Sequence, residues 1–323
     1  MKISIVIPNY NGAELLVPCI ESLMLQSYHD YDITVVDNGS NDHSRKLLTD
    51  YKRNIQVIQL EDNLGFGKAV NIGIKATNGE LILVLNNDTT LDPECLTQIV
   101  SGARAYPDYG FYAPRICEQS NPHKIYATGL MFSDRGYGNR SQRYQLQSID
   151  YPIDVFGACG AGAVYQRKVL NDVGLFNEEF FFLYEDLELS FRHQLLGYRC
   201  IYLPSAVIYH QGSATLRRFY PLAMKEAVKN SLATLITCAP EILLKKYVQR
   251  IAKFYLIFWC HVIFRGYIKE FLYALTYIAV HMPQIIRKRV DIQSNCITDI
   301  DYLDNLLYRG EIYINFPDRV EKL

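Results

Sequence analysis

KISIVIPNYNG, at residues 2–12, opens the chain with an apolar run that ends in polar residues and a glycine. Residues 3–7 are apolar except for the small Ser4, which is typical of a strand buried on both faces of a parallel sheet. Residues 8–12 end it, and residues 14–25 then place leucine and isoleucine on one side of a helix. The segment therefore predicts a strand, a turn and a helix, the repeating unit of an α/β sheet.

The same alternation continues through the first hundred residues. Apolar strand patterns recur at residues 32–36, 55–60 and 81–85, and this order predicts a parallel, doubly wound sheet. Ligands of such sheets bind beyond the carboxyl ends of the strands. Short, largely polar segments stand at these ends: Pro8, Asn9 and Tyr10; Asp37 and Asn38; Asn63, Leu64 and Gly65; and Asn86, Asn87 and Asp88. We therefore expect them to converge on one crevice.

The middle of the chain has a weaker pattern. Residues 129–151 are polar and rich in Tyr, Arg and Gln, which predicts loops or a hairpin over the crevice. Residues 157–162 are rich in glycine and predict close approach of two backbone segments. The elements predicted next are two helices and then two strands on either side of Pro204, at residues 168–174, 186–196, 199–203 and 206–210.

Composition bounds the class of protein. With 323 residues, 49% of them hydrophobic, the chain is long enough for a full core, and a net charge of −1 argues against a nucleic-acid partner. The eight cysteines show no CxxC pair and no Cys/His ligand spacing, so we expect reduced thiols and no structural zinc. The first residues begin a strand directly, so we expect no secretory signal and a cytoplasmic location.

Residues from 221 onward predict a mainly helical region with an excess of basic residues. Residues 222–290 contain 11 Lys and Arg against 3 Asp and Glu. The apolar runs at 254–264 and 271–282 are each shorter than the ~20 residues of a membrane-spanning helix. The helices therefore either pack in the core or form an amphipathic surface on anionic lipid, with Trp259 inserted. We favour the lipid surface, because packing in the core leaves the basic excess unexplained.

Asn86, Asn87 and Asp88 directly follow an apolar strand, and the segment has two interpretations. It is either an ordinary polar strand end or a site at which Asp88 holds Mg²⁺ or Mn²⁺, which prefer oxygen ligands and bridge diphosphate oxygens. His210 is either an ordinary histidine at a strand end or, as a neutral imidazole, a second ligand of the same metal. A divalent-metal site is the functional hypothesis for this group.

Two further segments suit a nucleotide. Asp37 is either a helix cap or a carboxylate that accepts hydrogen bonds from a base or a ribose. The segment from Asn63 to Lys68 is either a plain helix start or a place where Gly65 lets the backbone approach a ligand and Lys68 reaches a phosphate. Its spacing is not that of a P-loop, and no glycine-rich dinucleotide fingerprint follows the first strand.

Glu185 and Asp186 follow an aromatic and apolar segment at residues 180–184. Acidic residues at a helix start interact favourably with the helix dipole, so the pair can be purely structural. A carboxylate among aromatic side chains can instead act as a general base toward a sugar hydroxyl. Together with Asp88, the pair suggests metal-assisted transfer chemistry.

Several motifs resemble those of the family-2 glycosyltransferases with the GT-A fold. They occur in family order over about residues 1–215: VIPNYNG at 6–12, VVDNGSND at 35–42, NLGFG at 63–67 with NIG at 71–73, NND at 86–88, VGLFNE at 173–178, EDLEL at 185–189 and IYHQGS at 208–213. NND stands where the family has its DxD metal motif, so one charge is missing. The subgroup that looks most similar is that of the rhamnosyltransferase-like enzymes of bacterial surface polysaccharides.

The resemblance implies inverting, metal-dependent transfer of one sugar from a nucleotide-diphosphate donor, dTDP-rhamnose or a UDP-sugar, to a saccharide or lipid-linked saccharide. It implies that Asp186, beside Glu185, deprotonates the acceptor hydroxyl and that Asp88 and His210 hold Mg²⁺ or Mn²⁺. The residues implied in donor binding are Pro8, Tyr10, Asp37, Asn63, Gly65, Lys68 and Asn87. The QxxRW signature of processive synthases is absent, which favours a single addition per encounter.

The expected organisation is a GT-A catalytic domain at residues 1–220, followed by a helical region at 221–323 that associates peripherally with the inner face of the cell membrane. The catalytic domain would comprise a nucleotide-binding half at 1–100 and an acceptor-binding half at 101–220. Two alternatives stay open: a catalytically silent saccharide-binding module with the same fold, and a sugar nucleotidyltransferase. Sugar nucleotidyltransferases have a Gly-rich loop with Arg or Lys directly after the first strand, and residues 8–12 of this chain lack it.

Overall fold

The computed structural model describes residues 1–51, 55–140, 149–212, 220–315 and 320–322. Its first part alternates strands and helices as the sequence predicts: β1 (Ile3–Asn9), α1 (Ala13–Met24), β2 (Tyr31–Asn38), α2 (Ser44–Tyr51), β3 (Gln56–Leu60), α3 (Phe66–Lys75) and β4 (Leu81–Leu85). These strands lie in the order β3-β2-β1-β4 and are all parallel. Strands β1 and β4 are almost wholly buried, as their largely apolar sequences indicate.

The second part extends the same sheet and makes it mixed. Its elements are β5 (Thr89–Leu91), α4 (Cys95–Ala105), β6 (Phe111–Glu118), β7 (Asn121–Ala127), β8 (Leu130–Phe132), β9 (Gly138–Arg140), β10 (Asp154–Val155), β11 (Gly162–Gln166), α5 (Arg167–Val173), α6 (Glu185–Leu195) and β12 (Cys200–His210). Strand β11 lies antiparallel between β4 and β6, whereas β12 runs parallel to β6. The expected α/β fold with a mostly parallel central sheet is confirmed.

One strand differs from its prediction. Residues 199–203 and 206–210 were expected as two strands broken at Pro204, but β12 is continuous across it. Its register against β6 shifts between Leu203 and Val207. Proline has no N–H to give to a neighbouring strand, and a local irregularity lets a sheet accommodate it without ending the strand.

The remaining described residues form helices and a short hairpin: α7 (Tyr220–Cys238), α8 (Glu241–Phe264), α9 (Ile268–Val280), α10 (Met282–Ser294), α11 (Ile300–Leu306), β13 (Tyr313–Asn315) and β14 (Val320–Lys322). Apolar side chains of α7 to α11 share one buried cluster with Leu187, Phe191 and Leu195 of α6. The helical region therefore packs directly on the helix that begins with Glu185 and Asp186.

Several basic residues of this region have partners inside the protein. Lys288 of α10 lies 2.9 Å from a carboxylate oxygen of the buried Glu188, and Arg289 donates to the carbonyl oxygens of Ile236 and Ala239. The basic excess that favoured a lipid surface is thus partly explained by internal contacts. Trp259, expected at that surface, is half-buried and packs against Phe271. Along the described parts of the chain, no helix is both long and apolar enough to cross a bilayer.

Candidate active site

Asn9, at the end of β1, joins the ends of β2 and β4. Its Oδ1 accepts a hydrogen bond of 2.7 Å from Asn87 Nδ2, and its Nδ2 lies 3.4 Å from Asp37 Oδ1. Because β2, β1 and β4 are neighbouring parallel strands, their carboxyl ends share one edge of the sheet. The predicted convergence of these polar segments is therefore observed.

Asp37 is fully buried, and its carboxylate already has a cationic partner. Arg45 Nε lies 3.0 Å from Asp37 Oδ2, while Arg45 Nη2 donates to the carbonyl oxygen of Leu60. The Arg45 side chain is itself 45% exposed. Asp37 is not a helix cap, since the N–H of Ser44 at the start of α2 bonds to Asp42 instead.

The loop before α3 lies at the same edge of the sheet. Asn38 donates to Asn63 Oδ1 at 2.9 Å and accepts from the N–H of Leu64 at 2.8 Å. Gly65 has a φ of +87°, and a Cβ there would lie 2.5 Å from the carbonyl oxygen of Phe181. Only glycine fits this close approach, as the sequence indicates. Lys68 follows in the first turn of α3 and, like Pro8 and Tyr10 at the end of β1, is half-buried.

Asp88 and His210 are brought together by strand pairing. Strand β5 runs antiparallel to the end of β12, and His210 lies opposite Thr89, the residue after Asp88. His210 Nε2 lies 3.0 Å from Asp88 Oδ1, and the two side chains are 6% and 10% exposed. Within the described ranges, Asp88 Oδ1 has no partner with hydrogen-bond geometry. A carboxylate oxygen and an imidazole nitrogen thus meet in a nearly dry position.

This pair fits a divalent cation. A buried carboxylate oxygen without a hydrogen-bond donor is costly unless a positive charge compensates it, and both atom types are metal ligands. In the part of the chain that the structure describes, no cluster of three or more His, Cys, Asp or Glu side chains is placed to enclose a metal. Such an ion would need further ligands from elsewhere, as Mg²⁺ does when it binds through one or two carboxylates and phosphate oxygens.

Asp186 is held by the backbone on two sides. Its Oδ2 accepts from the N–H of Gly160 at 2.9 Å and its Oδ1 from its neighbour Leu187 at 2.8 Å. Burial raises the pKa of Asp186, although these hydrogen bonds oppose the rise. Burial, and then the charge of Asp186, raises the pKa of Glu185 to about 8. Burial thus favours the protonated form of Glu185, which leaves Asp186, held by its two hydrogen bonds, as the available proton acceptor.

A glycine-rich turn connects the two acidic positions. The N–H of Gly162 bonds to the carbonyl oxygen of Cys159, and between them Gly160 donates to Asp186. The next residue, Ala161, accepts from the N–H of Asn86. One turn therefore contacts both the NND segment and Asp186, which places them on the same crevice. The predicted close approach at residues 157–162 is confirmed.

Glu188 and its neighbours are structural. Glu188 is fully buried; burial would raise its pKa, but Arg192 and Lys288 outweigh it and hold the pKa below its usual range. Arg192 and His193 follow the acidic residues of the same helix, and the sequence alone indicates a solvated or ion-paired face for both. Arg192 does form the ion pair, but His193 is wholly buried against Phe111 and Tyr165, so that part of the interpretation was wrong. Burial lowers the pKa of His193 to about 3, which keeps it neutral.

Two side chains beside His210 were missed by the sequence analysis. The Tyr126 ring meets the His210 ring edge-on with 4.6 Å between centroids, and the Arg140 guanidinium lies 3.9 Å from the Tyr126 ring centroid. Arg140 thus brings a positive charge near the Asp88 side of the crevice. For Arg140 the only signal was the Tyr- and Arg-rich composition of residues 129–151, of which 141–148 lie outside the described residues. Tyr126 lies before that segment and had no signal.

Comparison with known proteins identifies the family of these motifs. The model described as "Glycosyl transferase family 2" matches residues 4–174. The poly-beta-1,6-N-acetyl-D-glucosamine synthase of Staphylococcus epidermidis is 26% identical over 209 residues, covering 64% of this chain and 48% of the synthase. The O-antigen chain rhamnosyltransferase of Salmonella typhimurium is 26% identical over 226 residues, covering 67% and 68%. The chain spans about half the length of the synthase.

Solved structures share the fold. Residues 1–349 of S. aureus TarS, in complex with UDP, have a TM-score of 0.54 and 18% identity, covering 100% of this chain and 96% of that one. The mannosyltransferase PcManGT from Pyrobaculum calidifontis, in complex with GDP-Man and Mn²⁺, has a TM-score of 0.54 and 15% identity, covering 87% and 75%. At these identities the likeness concerns the fold alone.

Proposed function

Because this chain belongs to glycosyl transferase family 2, we propose that it transfers one sugar, with inversion, from a nucleoside-diphosphate sugar to a hydroxyl of a saccharide or lipid-linked saccharide. The carrying observation is that one glycine-rich turn contacts both Asn86, two residues before Asp88, and Asp186. Asp88 pairs with His210, and Asp186 stands beside Glu185. One position suits a metal that receives a diphosphate. The other suits a base.

In the proposed reaction Asp186 accepts the proton of the acceptor hydroxyl. The oxygen of that hydroxyl attacks the anomeric carbon from the face opposite the diphosphate, the new glycosidic bond forms, and the bond to the diphosphate oxygen breaks with its electron pair leaving on that oxygen. The hydrogen bonds from Gly160 and Leu187 fix the carboxylate for this transfer. A raised pKa makes Asp186 a stronger base than an exposed aspartate.

Asp88 and His210 would hold the divalent metal, Mg²⁺ or Mn²⁺. Such an ion neutralises charge on the departing nucleoside diphosphate. PcManGT was solved with GDP-Man and Mn²⁺, which supports a metal in this fold. Arg140 is placed to add a second positive charge to the same region, because it lies over Tyr126, the ring that packs on His210.

The donor would lie along the edge formed by β1, β2 and the loop before α3. We propose that Pro8 and Tyr10 flank the base, that Asn63, Gly65 and Asn87 line the nucleotide, and that Lys68 reaches a phosphate. Asp37 would recognise the edge of uracil or thymine, and this requires its contact with Arg45 to open, because Asp37 is otherwise buried. TarS was solved with UDP, and a rhamnosyltransferase is among the relatives, which supports a UDP-sugar or dTDP-rhamnose.

The relatives also support a role in cell-surface polysaccharide synthesis, and we propose that the helical region rests on the anionic inner face of the cell membrane. Apolar side chains on α8 and α9 are exposed, among them Phe264 at 88% and Leu256 at 63%. Exposed lysines, including Lys253 and Lys269, lie on the same helices. This combination suits an interfacial surface.

Liposome sedimentation tests the membrane proposal. Wild-type protein should bind vesicles rich in phosphatidylglycerol at low salt and be released by high salt. Phe264→Asp should reduce this binding, whereas Ile297→Asp, at an exposed apolar residue outside these two helices, should not. If both variants bind the vesicles as well as the wild type does, the proposed membrane surface is wrong.

The transfer activity is tested by release of nucleoside diphosphate from a panel of UDP-, dTDP- and GDP-sugars with Mn²⁺, with and without an extract of lipid-linked saccharides as acceptor. We expect release from one donor class, stimulated by the extract and abolished by EDTA. If no donor is consumed while UDP or dTDP still binds, the chain is a silent binding module and the proposed activity is wrong.

A further inference from the structure

The loop before α6 has an unusual backbone. Leu183 and Tyr184 have φ values of +66° and +71°, and both lie in the left-handed region that L-residues other than glycine and asparagine rarely adopt. Tyr184 is also the N-cap of α6 and provides no side-chain hydrogen bond to it. Two consecutive left-handed residues directly before Glu185 and Asp186 need support from outside the loop.

Asn230 of α7 provides that support. Its Nδ2 donates to the carbonyl oxygen of Leu183 at 2.7 Å and to that of Phe182 at 3.1 Å, and the side chain is fully buried. Carbonyl oxygens only accept hydrogen bonds, so the atom that faces them is the amide nitrogen and not the amide oxygen. An asparagine at this position is therefore matched to the two carbonyl groups that the left-handed backbone presents.

The neighbours of Asn230 hold its side chain in place and add a further hydrogen bond to the loop. Its Nδ2 lies 3.5 Å from a carboxylate oxygen of Glu226, which forms a nearly buried ion pair of 2.6 Å with Lys229. Lys229 in turn donates to the carbonyl oxygen of Glu179. Helix α7 thus holds the loop at residue 179 and again at residues 182 and 183.

The same loop touches the proposed donor side. The N–H of Phe66, the first residue of α3, donates to the carbonyl oxygen of Phe181 at 2.7 Å. The loop therefore lies between the helix that follows Gly65 and the helix that begins with Glu185. Its conformation sets the direction in which α6 starts, and with it the position of the Asp186 carboxylate.

We propose that Asn230 is a positioning residue for Asp186, and that α7 therefore helps to fix the geometry of the active site. This inference rests on the proposed function, in which Asp186 is the base. Asn230 acts through the backbone of residues 182–184 and does not contact donor or acceptor. Losing it should lower kcat and leave the donor KM nearly unchanged, because misplacement by about 1 Å of a group that acts in the transition state can cost on the order of 10²-fold.

The test is the set Asn230→Ala, Leu183→Gly and the double variant, with transfer kcat, donor KM and urea unfolding measured for each. We expect kcat to fall at least tenfold in Asn230→Ala with donor KM within about threefold. Glycine adopts the left-handed region without strain, so Leu183→Gly should recover part of that loss in the double variant. Thr237→Ala is the matched control, because this buried hydroxyl on α7 bonds within its own helix.

Unchanged kcat in Asn230→Ala would overturn the proposal, and so would an equal loss of kcat in Thr237→Ala. If Asn230→Ala does not fold, Asn230→Ser keeps one donor and takes its place in the set. The unfolding data form a double-mutant cycle that needs no activity. Asn230→Ala should cost more stability in the Leu183→Gly background, where relief of backbone strain cannot offset the lost hydrogen bonds. Strict additivity would mean that the loop does not move and would overturn the proposal. An inactive wild type would instead refute the proposed function.

Discussion

Asp186→Asn tests the proposed base with little change in shape. The two carboxylate oxygens accept from the N–H groups of Gly160 and Leu187, and asparagine keeps only one oxygen. One N–H then loses its acceptor, which costs about 1–3 kcal/mol of the free energy of unfolding. Domains of ordinary stability, about 5–15 kcal/mol, stay folded after such a loss. General-base catalysis contributes roughly 10²–10⁴-fold to rate, so the expected fall in kcat far exceeds the effect of unfolding.

The assay is nucleoside-diphosphate release at saturating donor and acceptor, paired with calorimetric binding of the nucleotide. Asp186→Asn should lose at least about 100-fold in kcat and keep nucleotide affinity within a few-fold, because Asp186 is proposed to contact the acceptor side only. Asp172→Asn, the same substitution at an exposed carboxylate, should retain activity. Retention of more than a tenth of wild-type kcat by Asp186→Asn would refute the reasoning.

Three further predictions concern the metal, the acidic pair and the helical region. His210→Ala should raise the Mn²⁺ concentration for half-maximal activity by about tenfold or more, and an unchanged titration would exclude it as a ligand. The pKa of Glu185 is raised to about 8 in the folded state, so between about pH 5 and 8 the folded protein keeps a proton that the unfolded chain has released. The free energy of unfolding of the wild type should therefore fall as pH rises through this range, by at most about 1.4 kcal/mol per pH unit. Glu185→Gln should remove that fall in urea unfolding, and parallel pH curves would contradict the assignment. Lys288→Met should lower the free energy of unfolding by about 1–3 kcal/mol, because it leaves the buried carboxylate of Glu188 with one cationic partner fewer. Arg287→Met, at the exposed neighbour, should change the free energy of unfolding by less than about 0.5 kcal/mol.

The parallel part of the fold could be predicted from sequence because its signals are local. The apolar run of β4 and its polar end at Asn86 follow directly from the order of residues, and strand periodicity does not depend on distant partners. The continuity of β12 through Pro204 could not be predicted in this way. It depends on a register shift against β6, a strand almost a hundred residues earlier in the chain.

The residues of the candidate site likewise fall into those that a local motif identifies and those that only tertiary contacts reveal. Asp88, His210 and Asp186 stand in motifs, so the sequence analysis singled them out. Arg140 and Asn230 stand in no motif, and their roles depend on contacts that form only in the folded chain. Arg140 lies over the Tyr126 ring, and Asn230 donates to the carbonyl groups of residues 182 and 183. Asp37 does stand in a motif, but its burial and its ion pair with Arg45 depend on tertiary contacts and could not be predicted from the motif.

The helical region shows how composition can mislead. Its excess of Lys and Arg favoured a lipid surface, but charge counts do not say where each side chain points. Lys288 and Arg289 turn inward to a buried carboxylate and to helix-end carbonyl groups. The exposed apolar side chains near Phe264 are what supports the membrane proposal, and neither charge nor mean hydropathy identified them.

The central claim is that Asp88 and His210 form a metal site that receives the nucleoside diphosphate. The most direct measurement is calorimetric titration of UDP and of dTDP into wild-type protein and into Asp88→Asn, each with Mn²⁺ and with EDTA. We predict that Mn²⁺ strengthens binding of one nucleotide to wild type by at least about tenfold, or roughly 1.4 kcal/mol, and leaves its binding to Asp88→Asn unchanged. Equal affinity of wild type with Mn²⁺ and with EDTA would contradict the claim.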